Sequence, residues 1–154
     1  MLKLSIFIKI NLNMPKKAKK TAKKSNYIAV IGRRRTATAR VRLYSKKGDI
    51  TVNDKPIAEY FPGAISEKYY MEPFKICNVT DKYSVSIKVL GSGKSGQLGA
   101  VIHGLTRALL KVDEEKFRPI LKKRGLITRD HRKKERRKVG TGGKARRKKQ
   151  SPKR

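Results

Sequence analysis

The spacing of apolar positions predicts strands in the middle of the chain. From Thr36 to Leu43, odd positions are apolar and even positions are polar, ending with Arg40 and Arg42 on the polar side. A period of two is typical of a strand with one buried face. The stretch "DKYSVSIKVLG" (81–91) repeats this pattern and predicts another strand. The preceding run "NYIAVIG" (26–32) is apolar, and we place the three arginines that follow it in a loop.

Turn and cap signals organise the next segment. "KKGD" (46–49) is a turn between the first strand and "ITVN" (50–53), so residues 36–53 are predicted to form a hairpin. Asp54 is a candidate cap for a short helix with Pro56 in its first turn. Gly63 is expected to end that helix, and a further helix is expected over residues 65–71.

Helical spacing dominates the C-terminal half of the centre. Apolar residues from Leu98 to Leu109 recur on one stripe, and small residues among them would let this helix lie close to a sheet or an RNA backbone. "RPILKKRG" (118–125) predicts a last helix with Pro119 in its first turn and Gly125 as its C-cap. The fold class predicted is α+β, a split βαβ sandwich in which one sheet is backed by helices.

Charge divides the chain into three parts. The formal net charge is +31, and the residues from 122 onwards hold 17 Lys or Arg and only two acids. We therefore expect a lysine-rich N-terminal arm (1–25), a globular domain (26–125) and an extended basic tail (126–154). Such an excess of positive charge indicates a polyanionic partner, and nucleic acid fits better than a membrane surface. No small-molecule substrate or cofactor is indicated.

Neither the N-terminal residues nor the cysteine and histidines of the chain indicate a further function. Residues 1–13 have neither the length of a membrane span nor a signal-peptide cleavage site, and Met14 is a candidate true start. Cys77 is the single cysteine, which excludes an internal disulfide. His103 and His131 lack partners at metal-ligand spacing, so no metal site is predicted.

The glycine-rich stretch "GSGKSG" (91–96) suggests a phosphate-binding loop but departs from the nucleotide-binding motif. That motif needs a glycine where this chain has Lys88. No set of residues indicates catalysis either, so the chain is not predicted to be an enzyme. Gly91, Gly93 and Lys94 could instead approach an RNA phosphate, although the loop could also serve only to turn the chain.

Five stretches together resemble one family. They are "GRRRTATARV" (32–41), "ITVNDKPIAEYF" (50–61), "GSGKSGQLGAVIHGLTRALL" (91–110), "GLITRDHRKKERRKVG" (125–140) and "KARRKKQSPKR" (144–154). In order and spacing they are similar to the universal, bacterial-type small-subunit ribosomal protein S-nine family. The resemblance covers about residues 26–154. The chain departs from the family pattern at Ser92 and at its ending, where Pro152 precedes the last two residues.

The resemblance implies a fold like the second domain of ribosomal protein S-five and a place in the head of the small subunit. Its partners would be the 3′ major domain of small-subunit rRNA, neighbouring head proteins and the anticodon stem-loop of P-site tRNA, in a cytoplasmic rather than an organellar ribosome. Lys153 and Arg154 match the terminal pair that would reach the tRNA. The alternative is a histone-like protein that compacts nucleic acid.

We expect the RNA-facing residues to form a surface of arginines, lysines and loop glycines. The predicted set is Arg33, Arg34, Arg35, Arg40, Arg42, Gly91, Gly93, Lys94, Arg107, Arg129, Arg132, Arg136, Arg137, Lys138, Lys144, Arg146 and Arg147.

Overall fold

The computed structural model describes residues 26–140 and 145–146. These residues form one sheet and four helices. The strands are β1 (Tyr27–Arg34), β2 (Ala37–Tyr44), β3 (Ile50–Val52), β4 (Lys55–Pro56) and β5 (Ser84–Leu90). The helices are α1 (Ile57–Tyr60), α2 (Ala64–Ile76), α3 (Lys94–Val112) and α4 (Glu114–Lys123). The mixed α+β class expected from the sequence is confirmed.

The sheet has the order β1-β2-β5-β3-β4, and all neighbouring strands are antiparallel except β5 and β3. The predicted hairpin over residues 36–53 is wrong, because β2 pairs with β1 and β5 and leaves β3 only the far side of β5. The split arrangement is also not observed, since the parallel strands β3 and β5 are immediate neighbours.

The first hairpin joins β1 to β2 instead. Arg33 and Arg34, predicted to lie in a loop, belong to β1, because Arg34 pairs directly with Ala37 across a two-residue turn. In that turn Arg35 has a φ of +52°, a left-handed conformation that tightens the connection. Only Arg35 of the three arginines therefore lies in the turn.

The helices cover one face of the sheet. Helix α3 lies against β1, β2 and β5, and α2 and α4 pack against α3. The buried core joins the inward residues of β2 and β5 to the apolar stripe of α3, where Val101, Leu105 and Leu109 are fully buried. Helix α3 crosses β1 at Gly32 and Gly104. A side chain at Gly32 would collide with the Ala100 carbonyl oxygen and lie 2.6 Å from the Cα atom of Gly104. The expectation that small residues bring this helix close to the sheet is confirmed.

The short helices differ from the sequence prediction at their ends. Asp54 does not cap α1, because β4 separates it from the first helical residue, Ile57, and Pro56 occupies the N-cap position without a side-chain cap. The prediction that Gly63 ends α1 is wrong, because α1 ends at Tyr60 with Phe61 as its C-cap and Gly63 is instead the N-cap of α2. Helix α2 runs to Ile76 despite Pro73, since burial of Tyr70 and Phe74 outweighs the backbone hydrogen bond that proline removes.

Helix α4 begins earlier than predicted. Asp113 caps it by accepting a hydrogen bond from the Lys116 N–H, so Pro119 lies in mid-helix rather than in the first turn. Gly125 follows the C-cap residue Arg124 and has a φ of +69°, and its N–H donates to the Lys122 carbonyl. The glycine signal therefore correctly marked where this helix ends.

Candidate nucleic-acid interface

The face of the sheet opposite the helices is uncovered, and we call it the open face. Strand alternation places four basic residues there: Arg33 from β1, Arg40 and Arg42 from β2, and Lys88 from β5. The other positions on this face of β1, β2 and β5 are tyrosine, serine, threonine, alanine, isoleucine or leucine, and none is acidic. The open face is therefore positive throughout.

Two cations on the open face lie directly opposite each other. Arg40 of β2 pairs in register with Lys88 of β5, and neither makes an ion pair in the part of the chain that the structure describes. Like charges at directly opposed positions of a sheet destabilise it. A bound polyanion would remove that cost, because each phosphate would lie between cations.

Arg42 is oriented by an aromatic neighbour. Its guanidinium lies 5.4 Å from the centroid of the Tyr27 ring, and that ring is 5.5 Å from the ring of Tyr44. A guanidinium held over an aromatic ring loses less conformational freedom when it binds an anion. The arrangement leaves its charge at the surface.

Side chains of α3 cover the outer edge of the sheet. His103 Nδ1 accepts a hydrogen bond from the Arg33 backbone N–H at 3.2 Å, Arg107 donates to the Ile31 carbonyl and Lys111 donates to the Ala29 carbonyl. These three residues are four apart and lie on one side of the helix. They satisfy backbone groups that an edge strand would otherwise leave open to another chain.

The same residues form a positive groove, which we call the edge groove. It is lined by His103, Arg107, Lys111, Arg33 and Arg129. Burial lowers the pKa of His103, and the charges of Arg107 and Arg129 add to this effect. The imidazole is therefore neutral at pH 7. Because Arg33 also belongs to the open face, the two positive surfaces adjoin.

The glycine loop is held from inside the domain. Gly91 has a φ of +80°, and a side chain there would lie 2.6 Å from the Thr36 carbonyl oxygen. Gln97 donates to the Gly91 carbonyl and accepts a hydrogen bond from the Tyr60 hydroxyl. Gly91 is thus required by the turn itself, whereas Gly93, extended at the start of α3, has open space around it.

Lys94 points back to the domain. Its ammonium lies 3.4 Å from the centroid of the Tyr60 ring and donates to the Tyr60 carbonyl at 3.2 Å. The side chain remains exposed. An RNA phosphate that binds the Lys94 ammonium would therefore lie next to the Tyr60 ring.

The start of the tail is attached to β1. Arg34 Nη2 lies 2.8 Å from Asp130 Oδ2, and Arg34 Nη1 donates to the Arg132 carbonyl at 3.0 Å. Arg132 also binds the Asp130 carboxylate with two of its nitrogens. Hydrogen bonds from Arg132 and the charge of Arg34 hold the pKa of Asp130 well below its usual range.

The described part of the tail has no helix or strand, and residues 131–140 are all exposed. Only Leu126 and Ile127 pack against the core. Glu135 binds Arg146, which lowers the pKa of Glu135. The two acids of the tail are therefore both paired with arginine, and the remaining charge of this segment is positive.

The predicted residues thus fall into separate groups. The open face holds Arg33, Arg40 and Arg42, the edge groove holds Arg107 and Arg129, and Arg35 lies in the β1–β2 turn. Arg34 and Arg132 are engaged with Asp130. Arg136, Arg137 and Lys138 lie on the exposed tail, together with Arg146. Lys144, Arg147, Lys153 and Arg154 lie outside the described residues.

Sequence reasoning missed three residues of this surface. Lys88 was recognised as polar but was not included, although its period-two position already placed it on the polar face of its strand; only the β2–β5 register places it opposite Arg40. Lys111 and His103 could have been found from their four-residue spacing with Arg107. Their approach to β1 could not, because it depends on the angle at which α3 crosses the sheet.

Within residues 26–140 and 145–146, no group of histidine, cysteine and acidic side chains is arranged to hold a metal ion. None of the helices described there is long and apolar enough to cross a membrane. Burial raises the pKa of the Cys77 thiol, which is free and enclosed in the core.

A mixed α+β domain with a positive open face, a positive edge groove and a basic tail is typical of proteins that bind nucleic acid through its phosphate backbone. Comparison with known proteins identifies the family. The sequence profile described as "Ribosomal protein S9/S16" matches residues 32–154. The chain belongs to this family of ribosomal proteins, which confirms the resemblance seen in the sequence.

Two curated relatives carry the name "Small ribosomal subunit protein uS9". The protein from Desulfovibrio desulfuricans is 49% identical over 109 residues, which cover 71% of this chain and 83% of the relative. The protein from Maridesulfovibrio salexigens is 46% identical over 112 residues, covering 73% of this chain and 85% of the relative.

Proposed function

We propose that this protein is a structural component of the small ribosomal subunit and binds small-subunit rRNA during translation. The open face, the edge groove and the tail would provide the binding surface. Membership of the S9/S16 family and the names of the two relatives support the assignment to the small subunit. We place the protein in the cytoplasm, in a bacterial-type ribosome, and assign it no enzymatic role.

One observation carries the proposal for the domain. The open face collects four basic side chains without an acid on β1, β2 or β5, and two of these cations face each other in register. A protein surface with this charge is stabilised by an anion along its length rather than by a single ion. The regular phosphates of RNA supply such an anion, and contacts of this kind fix position without reading base sequence.

The finer parts of the proposal rest on the family resemblance. We place the protein in the head of the subunit, on the 3′ major domain of the rRNA and beside other head proteins, with an S-five domain-two-like body. The tail would continue to the anticodon stem-loop of P-site tRNA, with Lys153 and Arg154 at its end. Residues 126–154 can span roughly 95 Å when extended, which is enough to cross much of a subunit.

Salt dependence of rRNA binding tests the surface. If about 6–10 phosphates are neutralised, the affinity for a 3′ major-domain fragment should fall roughly 10³- to 10⁵-fold between 50 and 200 mM salt. A shallow dependence would contradict an extended surface. Sedimentation of the protein with small subunits at high salt separates this function from that of a histone-like protein, which would sediment with DNA.

Removal of Lys153 and Arg154 tests the tRNA contact. Subunits that carry the shortened protein should assemble normally and release P-site tRNA faster. A pair of basic residues removed from the N-terminal arm, Lys23 and Lys24, provides a control with the same change in charge. Equal tRNA retention in all three forms would refute the proposed role of the terminal pair.

A further inference from the structure

We infer that Arg34 is a positioning residue that fixes the direction in which the tail leaves the domain. The inference deepens the proposed function and rests on it, since it concerns how the tail is presented to RNA. It also assigns Arg34 a different role from its neighbours Arg33 and Arg35. The relevant contacts lie between the last residue of β1 and residues 130–132.

Strand alternation separates Arg34 from the open face. Its neighbour Arg33 is exposed on that face, whereas Arg34 points to the side of the helices and keeps only 22% of its side-chain surface. A phosphate bound along the open face would therefore meet Arg33 and not Arg34. The guanidinium of Arg34 is instead directed at the start of the tail.

The side chain of Arg34 runs over a gap that a glycine provides. At Gly99 on α3, a Cβ atom would lie 2.9 Å from the Cγ atom of Arg34. The absence of a side chain at position 99 lets the stem of Arg34 lie flat against the helix. Its end is thereby held at a fixed place, beside the last pair of β1 and β2.

Arg34 then grips the tail at two points. One nitrogen pairs with the Asp130 carboxylate, and another binds the backbone carbonyl of Arg132, two residues further along. A bond to a side chain alone would leave the backbone free to rotate. Two contacts from one planar group fix the path of the chain between residues 130 and 132.

This grip lies immediately before the exposed part of the tail. Leu126 and Ile127 pack on the core ahead of it, and residues 131–140 are all exposed. A small change of direction at residue 132 would be amplified along the 22 residues that follow, up to roughly 70 Å when extended. Fixing the direction before binding also reduces the entropy that the tail loses on RNA.

A charge-swap experiment tests the inference. Arg34→Asp and Asp130→Arg each leave two like charges at the contact, and the double variant Arg34→Asp/Asp130→Arg restores an opposite pair with unchanged net charge. All are built in a Cys77→Ser background with Ala145→Cys, to which an iron chelate that cleaves nearby rRNA is attached. Cleavage in reconstituted small subunits reports where the tail runs.

We expect each single variant to shift or spread the cleavage sites and to weaken P-site tRNA retention roughly 2- to 5-fold, the contribution typical of a partly exposed ion pair. The double variant restores the ion pair but not the bond to the Arg132 carbonyl, because aspartate has no donor, so it should recover part of the original pattern. If residue 34 contacted a phosphate instead, the aspartate would repel it in the double variant too, and no recovery would be seen. Unchanged cleavage in the single variants would also overturn the inference.

Two further variants sharpen the result. Arg33→Asp/Asp130→Arg has the same composition as the double variant, but position 33 lies on the open face, so it should not restore the pattern. Arg34→Lys keeps the charge but cannot hold both the carboxylate and the carbonyl, and should spread the cleavage sites without unfolding the domain. Urea unfolding of each variant identifies a purely structural effect, in which stability falls and the cleavage sites stay in place.

The rRNA cleavage readout is independent of the tRNA contact. If removal of Lys153 and Arg154 leaves tRNA retention unchanged, the proposed tRNA role fails. The cleavage pattern would still show whether Arg34 directs the tail.

Discussion

The two faces of the sheet are built from the same strands and differ in what they contact. On the covered face, Val41, Ile87 and Val89 are almost fully buried under the helices. On the open face, Arg40, Arg42 and Lys88 alternate with them and meet no helix. Adjacent residues therefore serve stability and binding separately. Substitutions at neighbouring positions of one strand should therefore change either stability or RNA binding.

The largest effect is expected where α3 crosses β1. Gly32→Ala places a Cβ atom against the backbone of Ala100 and Gly104, which cannot move without separating the helix from the sheet. We expect the free energy of unfolding to fall by about 3 kcal/mol or more. Urea unfolding measures this change. Gly93→Ala is the control, since nothing lies within 4 Å of the added atom, and a loss comparable to that of Gly32→Ala would contradict the packing argument.

A covered-face residue should affect stability alone. Ile87 is 1% exposed, and Ile87→Ala should lower the free energy of unfolding by about 2–5 kcal/mol through the cavity it leaves. At a temperature where the variant is folded, its affinity for rRNA should equal that of the original protein. A weakened affinity in the folded variant would show that the two faces are coupled.

The neighbouring residue on the open face should behave in the opposite way. Arg40→Ser together with Lys88→Ser removes two opposed cations, so stability should stay within about 0.5 kcal/mol or rise slightly. Affinity for rRNA should fall, and the slope of its salt dependence should decrease by about 2. Lys46→Ser with Lys47→Ser, in the β2–β3 loop, has the same change in charge. This control should reduce the slope of the salt dependence by less than the open-face variant does. Equal slopes in the two double variants would remove the special role of the open face.

The smallest effect concerns the edge of the sheet. The pKa of His103 is lowered in the folded protein, so the unfolded chain binds the proton more readily. The stabilisation is complete above the ordinary histidine pKa of about 6.5 and is lost as the pH falls below it. Protonation of Nδ1 would also break the bond from the Arg33 N–H.

Urea unfolding at pH 7.5 and 5.5 tests this effect. His103→Gln should lose less stability than the original protein between the two values, because its side chain does not titrate. His131 is present in both proteins and cancels in the comparison. An identical pH response would mean that protonation of His103 does not affect folding.

The sequence could predict those parts of the fold that depend on local spacing. The alternation in β2 and β5, the apolar stripe of α3 and the glycine after α4 were all correct, because each reflects contacts of one element with the core. Pairing was not predictable in the same way. The partner of β2 was assigned wrongly, since the nearest residues in sequence, 50–53, were chosen instead of β1. The need for glycine at position 32 was also not predictable, because it arises from the close approach of Gly104 on α3.

In the candidate interface, too, the residues that follow from local spacing were identified, and the roles that depend on long-range contacts were missed. Arg40 and Arg42 were identified from alternation alone, which also determines which face a strand residue occupies. Arg34 looked identical to Arg33 and Arg35 in the sequence. Its contact with Asp130 depends on the strand extending to residue 34 and on the space left by Gly99, and neither can be read from charge.

The most direct test of the account is photocrosslinking in assembled small subunits. A photoreactive phenylalanine analogue is placed at Thr38 on the open face or at Tyr69, an exposed residue of α2 on the helical side. The account predicts adducts with rRNA from position 38 and few or none from position 69. Strong rRNA adducts from position 69 and none from position 38 would show that the helices, and not the open face of the sheet, face the RNA.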